Sequence, residues 1–271
     1  GESESGMARP FALTPHPSGG LLVTDPGKGC VHFFCWGRRK YLVLGRERNG
    51  GLSSPVGVAA LADGRILVSD SRLRQILAYD ARGKALGTWA EADLFDRPAG
   101  LAAGADEVYA ADVTAHQVLV LDLNGRLKRR LGKRGAGPGE FNYPTHLALT
   151  SQGNLAVTDS MNFRVQVIRP DGAFVSQVGR LGDAPGTFSK PKGVAVDGAG
   201  RLIAVESLHG ALEFFAPDGR LLLSLGASGR GPGEFWLPTG LCLDREQGLL
   251  FVADSYNARV QVFRLLGGET P

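Results

Sequence analysis

Apolar residues along this chain come in short runs, many alternating with polar ones, each cut by a turn rich in Gly, Asp, Asn or Pro. The stretch from Pro144 shows the unit. Pro144-Thr145-His146-Leu147-Ala148-Leu149 starts a strand, Ser151-Gln152-Gly153-Asn154 turns, and Leu155-Ala156-Val157-Thr158-Asp159 returns. Ser160-Met161-Asn162-Phe163 turns again, and Arg164-Val165-Gln166-Val167-Ile168 is a third strand. Pro170-Asp171-Gly172 precedes a fourth, from Ala173 to Val178. Such period-two runs between tight turns predict half-buried antiparallel strands.

The unit repeats. A proline precedes an apolar run at Pro10, Pro55, Pro98, Pro144, Pro191 and Pro238, at intervals of 45, 43, 46, 47 and 47 residues. An acidic residue closes the next run each time, at Asp25, Asp70, Asp112, Asp159, Glu206 and Asp254, spaced 15, 15, 14, 15, 15 and 16 residues from its proline. A four-stranded sheet of this length cannot cover both its faces, whereas radial stacking covers them. A linear stack would need polar caps, and both terminal units carry full apolar markers. The expected fold is all-β: a six-bladed β-propeller of four-stranded antiparallel blades over residues 9–266, with repeats starting near 9, 54, 97, 143, 190 and 237. Residues 1–8 and 267–271 read as tails. The C-terminal segment, with Gly267-Gly268 and a final Pro271, is poor strand material. The last blade is therefore expected to have three strands, an exposed edge, and no strand exchanged between the termini.

Gly231-Pro232-Gly233-Glu234-Phe235, Leu237-Pro238-Thr239-Gly240-Leu241, Phe251-Val252-Ala253-Asp254-Ser255 and Asn257-Ala258-Arg259-Val260-Gln261-Val262-Phe263 resemble the NHL repeat closely, and Gly137 to Ile168 nearly as well. Units two and five are clear, while units one and three are degenerate. The resemblance implies the propeller. It leaves function open, because related propellers include enzymes, RNA binders and protein-docking modules. The compact units resemble bacterial NHL proteins, many of which are exported.

Strand order puts the links before each proline and the turns after each acidic residue on one face, the top. The residue after each proline is expected near the axis there: Phe11, Val56, Ala99, Thr145, Lys192 and Thr239. Peptide-amidating lyases, which are similar in fold, carry a zinc-binding histidine at this place, and none of the six is His. Sugar-lactonase-like propellers hold calcium with axial Asp, Asn and Glu, and the ring has none. His146, one residue further, is a lone histidine, and zinc catalysis needs about three convergent ligands. No catalytic residue, metal or cofactor is assigned. Asp25, Asp70, Asp112, Asp159, Glu206 and Asp254 read as structural turn residues that hold turn backbone, paired where possible with Arg74, Arg164 or Arg259. The longer Glu206 is expected to weaken this in the fifth unit. Neither Gly135–Gly139 nor Gly229–Gly233 is a phosphate loop, since no Lys-Ser/Thr follows and proline removes a donor.

Net charge is only +3, which demands no polyanionic partner. Cys30, Cys35 and Cys242 form no CxxC pair and read as buried thiols. No apolar run is long enough to span a membrane. The polar start Gly1–Gly6 reads as a tether left after a leader or as a vector-derived extension, and the resemblance to bacterial NHL proteins implies export, periplasmic or extracellular. Lys133, Arg134, Tyr143, Phe163, Arg230, Trp236 and Tyr256 place basic and aromatic groups on the top face. Together with the axial Phe11, Val56, Thr145, His146, Lys192 and Thr239 they form the candidate binding surface. The leading reading is a monomeric, non-catalytic scaffold that binds a protein or peptide through its top face. Single-stranded RNA on the same basic face is the alternative, with RNA-binding NHL domains of tripartite-motif-like repressors as the precedent. A metal-dependent lyase or hydrolase with an axial site is the third.

Overall fold

The computed structural model describes residues 6–36, 39–46, 51–91 and 93–265. It is a six-bladed β-propeller. Five blades are four-stranded antiparallel sheets in plain meander order, and the last has three strands among the described residues. Blade 4, for example, runs Pro144–Leu149, Leu155–Asp159, Arg164–Ile168 and Phe174–Val178 from axis to rim. The innermost strands of all six blades stand side by side in a closed circle, that of blade 6 against that of blade 1. Among the described residues each blade is built from its own stretch of chain, with no strand exchanged between blades.

The second strands depart from the expected half-burial. Leu21–Asp25, Ile66–Asp70, Leu155–Asp159 and Leu202–Glu206 are buried at every position. Both faces of these strands are covered by neighbouring blades, which explains why they read as nearly continuous apolar runs. Six apolar clusters fill the six gaps between blades. Cys30, Cys35 and Cys242 are buried free thiols within this packing. Outer strands meet water, as in the fully exposed Ala85–Thr88. In blade 6 the third strand, Arg259–Arg264, takes that edge position, and Val262 is 53% exposed.

A further marker sits three residues before each proline. Leu52, Phe95, Phe141, Phe188 and Phe235 are buried there as plugs between blades, and Met7 packs against the cluster at the seam of blades 6 and 1. The links bend tightly around these rings. A Cβ on Gly179, which has φ +84°, would lie 2.2 Å from the Phe188 ring. The first residues of the chain therefore already belong to the fold at Met7 and Ala8. Gly1–Ser5 and the tail at 267–271 lie outside the described residues.

The innermost strands of blades 2 to 5 are bulged near the proline. Pro144 pairs with Asp159 but Leu147 pairs with Val157, and Pro191 pairs with Glu206 but Val194 with Ala204. Two residues then oppose one, which re-aims side chains out of the ladder. This bulge turns the residue after the proline towards the axis. It also brings the inner strands into backbone contact. A Cβ on Gly57, Gly100, Gly193 or Gly240 would come within 2.1–2.6 Å of a carbonyl oxygen of the next blade.

Candidate functional site on the top face

The acidic residue that ends each second strand reaches across to the link before its own proline. Asp70 accepts from the N–H groups of Ser53 and Ser54 at 2.7 and 2.8 Å, and from Arg72 and Leu73 in the following turn. Asp25 and Asp112 do the same with the amides of Ala8 and Arg9, and of Asp96 and Arg97. In blade 4, Asp159 accepts from Asn142 N–H, Asn162 Nδ2, Arg164 Nε and Gln166 Nε2. Asp254 in blade 6 has Trp236, Asn257, Arg259 and Gln261 in the same places. These carboxylates fix the height and direction of the links that make up the top face.

Two expectations about them need correction. Arg74 does not pair with Asp70: its guanidinium donates to the Phe95 carbonyl and to Asp96 across the blade gap. Glu206 is not a weaker clamp, since it accepts from the amides of Ser189, Lys190 and Leu208. Its extra methylene is accommodated because no arginine competes for the space: Ala211 stands where blades 4 and 6 have Arg164 and Arg259.

At the axis the top face opens into a funnel of about 260 Å³. Phe11, Val56, Ala99, Thr145 and Lys192 line it, with Arg97, Tyr143, His146 and Met161. Thr239, the sixth residue of the expected ring, lies instead in the seam. Its hydroxyl donates to the carbonyls of Pro10 and Phe11 and meets Ser255 Oγ at 2.7 Å, tying blade 6 to blade 1. His146 lies between this funnel and a narrow waist where the other lining residues include Gly57, Gly100 and Gly240. It is 7% exposed, stacks on Phe11 at 5.6 Å, and its Nδ1 lies within hydrogen-bond distance of Thr145 Oγ1, at 3.1 Å. Its Nε2 has no hydrogen-bond partner. Burial, and then the charge of Lys192, hold its pKa down to about 3, so the ring is neutral near pH 7. At the far end Arg245 lines the bottom mouth and donates to the carbonyls of Leu149 and Val196, both at 2.8 Å. It ties blade 6 to blades 4 and 5 at that end of the channel.

The remaining candidates separate. Arg230, Trp236 and Tyr256 make a second cluster on the rim of blade 6. The Arg230 guanidinium sits 4.6 Å over Trp236, Trp236 contacts Tyr256 at 5.9 Å, and Arg9 caps Tyr256 at 5.0 Å. Lys133 is paired with Glu140 at 3.3 Å, and Phe163 is drawn into the packing between blades 4 and 5. Arg134 is exposed on the link that bridges to Phe141, away from both clusters. On the outer strand of blade 3, Lys128 and Arg129 pair with Glu107. Sequence reasoning missed Arg245, Arg9 and Met161, whose roles depend on where the ring closes and how long side chains bend. Among the described residues no three His, Cys, Asp or Glu side chains converge as a metal site.

The NHL repeat family matches residues 141–168 and 235–263, in the repeats of blades 4 and 6. This chain is a six-bladed β-propeller with NHL repeats in blades 4 and 6. Solved propellers of similar form are distant in sequence. Virginiamycin B lyase from Staphylococcus aureus is 13% identical, with a TM-score of 0.66 over 96% of this chain and 86% of that one. A gluconolactonase from Xanthomonas campestris is 18% identical, with a TM-score of 0.68 over 93% and 84%. An auxiliary nutrient binding protein from Bacteroides thetaiotaomicron is 13% identical, with a TM-score of 0.72 over 95% and 69%. At these identities the likeness is one of fold, and it spans two enzymes and a binding protein. No helix among the described residues of this NHL propeller is long and apolar enough to cross a membrane.

Proposed function

We propose that this NHL propeller is a non-catalytic scaffold that binds a protein or peptide partner through its top face. The observation that carries this reading is the distribution of exposed apolar side chains. Leu73, Tyr143, Met161, Leu208, Trp236 and Tyr256 are each 38–53% exposed on top-face links and turns, while the other exposed apolar residues, such as Leu86, Val175 and Leu223, are mostly spread along the outer strands. Aromatic and arginine side chains at such a surface are the usual anchors of protein recognition. The acidic residues of the repeat are consumed in holding the links and turns, which leaves the funnel with Arg97, His146, Lys192 and hydroxyls and without a carboxylate. That donor set suits recognition better than the metal-assisted chemistry of a lyase or hydrolase. For the RNA reading, the Arg230–Trp236–Tyr256–Arg9 stack is the favouring feature, but pairing of Lys133 with Glu140 reduces the basic field.

The test is selection of linear peptides from a displayed library, followed by binding to variants. Peptides recovered on the wild-type protein are expected to lose at least about tenfold in affinity on Trp236→Ala or Tyr256→Ala, as anchor residues do. Leu223→Ser, on the outer strand of blade 5, is expected to leave binding unchanged. Recovery of no sequence family, or equal binding to all variants, would remove the reading.

A further inference from the structure

The funnel contains positive charge without an answering negative one. Lys192 is partly buried at the axis, and no carboxylate pairs with it among the described residues. The charges it feels most are those of Lys190 and Arg97, both positive, and together with burial they hold its ammonium below the ordinary lysine range. Neither of those two side chains has an acidic partner among the described residues. The nearby acids are already committed: Asp112 accepts the amides of Asp96 and Arg97, and Glu206 those of Ser189 and Lys190. A partly desolvated cation without a counter-ion is unfavourable unless a ligand supplies one.

A second, independent feature lies deeper. His146 is buried and lines the same funnel, and its Nε2 has no partner. In the tautomer with the proton on Nε2, Nδ1 accepts from the Thr145 hydroxyl 3.1 Å away and Nε2 presents a donor to the cavity. An unsatisfied buried donor is rare in native structures and calls for an explanation. The walls between these groups are apolar, from Phe11, Val56, Ala99 and Met161.

We infer that the funnel is a receptor for a carboxylate borne on an apolar group, with Lys192 as its counter-ion and His146 Nε2 as a hydrogen-bond donor to it. The apolar walls take the body of the ligand, and Arg97 and Lys190 at the mouth draw the anion in. Two sources share this chemistry: the C-terminus of a peptide ending in an apolar residue, and a free apolar acid. The inference rests on the top-face reading above and names what the face would hold.

The experiment is calorimetric titration with three probes: acetyl-Gly-Gly-Leu with a free carboxylate, the same peptide as its C-terminal amide, and 3-phenylpropionate. The wild-type protein is expected to bind the free-acid peptide, with the amide at least about tenfold weaker, the scale of a charge-assisted bond. Lys192→Met is expected to weaken the acid by a similar factor and leave the amide unchanged, so that the two changes are not additive. Arg245→Met, at the opposite mouth, is expected to leave both affinities unchanged. If phenylpropionate binds in a Lys192-dependent way and the peptides do not, the carboxylate site stands and the peptide reading falls. If amide and acid bind alike, the carboxylate site falls while a peptide face survives. If no probe binds, or Lys192→Met has no effect, the inference is overturned. Comparison of acid with amide on the unaltered protein keeps the test valid should a variant fold poorly.

Discussion

Blade 1 partners its clamp carboxylate with histidine where blades 4 and 6 use Gln166 and Gln261, and this gives one blade an alkaline weakness. His32 Nε2 lies 3.2 Å from Asp25 Oδ2, and Nδ1 lies 2.6 Å from the Tyr41 hydroxyl. Burial alone would lower the His32 pKa, but the bond to Asp25 and the neighbouring Cys30 carry it up to about 9. Burial alone would raise Asp25, yet His32 and the amides of Ala8 and Arg9 bring it down to about 2. These are two views of one interaction. An imidazole moved from 6.5 to about 9 and a carboxyl moved from 3.8 to about 2 put it at about 2–3 kcal/mol, with about 1.4 kcal/mol per tenfold change in proton affinity. The His32 contribution is raised-pKa in sign: complete below pH 6.5 and lost as pH rises through about 9. The Asp25 contribution is present above pH 3.8 and lost as pH falls towards about 2. Replacing His32 with Gln keeps a neutral donor to Asp25, and removes the charge. Urea unfolding of both proteins at pH 6, 8 and 10 is the assay. The wild-type advantage is expected to shrink by about 2 kcal/mol between pH 6 and pH 10, because only the wild type has this proton to lose. An advantage that stays constant across that range would refute the reasoning.

Asp159→Ala should destabilise by about 3–5 kcal/mol, because it strands the buried Arg164 along with Asn142 N–H and Gln166. Asp70→Ala, whose partners are backbone amides only, should lose less, about 1–3 kcal/mol, and thermal melts of the two variants check the order. Gly100→Ala would set a Cβ 2.5 Å from the Thr145 carbonyl and force the inner strands of blades 3 and 4 apart. A loss of about 2 kcal/mol or more is expected, against a change within about 0.5 kcal/mol for Gly198→Ala, which meets open space.

How much of this could be read beforehand follows from what each residue does locally. The proline and acid markers were legible because each obeys a local rule: proline opens a strand without a ladder donor, and the acid folds back on its own link. The plug three residues before each proline carries an equally regular signal, from Leu52 to Phe235, but stands alone in an irregular link and outside any alternating run. The three-stranded last blade was legible from the poor strand material after Arg264. Pairing across blades was not. Arg74 faces Asp96 and Arg245 reaches Leu149 and Val196 through contacts between distant segments. Thr145 and Thr239 occupy equivalent positions, each beside a serine hydroxyl at 2.7 Å. Only Thr239 is withdrawn from the funnel, because its neighbour is the blade that starts the chain. The unmatched charge of Lys192 emerges only when six inner strands meet.

The central claim is that the top face receives a ligand and that its axis receives the ligand's anionic end. A crystal structure of the protein bound to a peptide selected on its wild-type form tests this most directly. The expected result is a chain lying across the top-face links, with its C-terminal carboxylate within hydrogen-bond distance of Lys192 Nζ and His146 Nε2. A peptide bound along the open edge of blade 6, or at the Arg245 mouth, would contradict it.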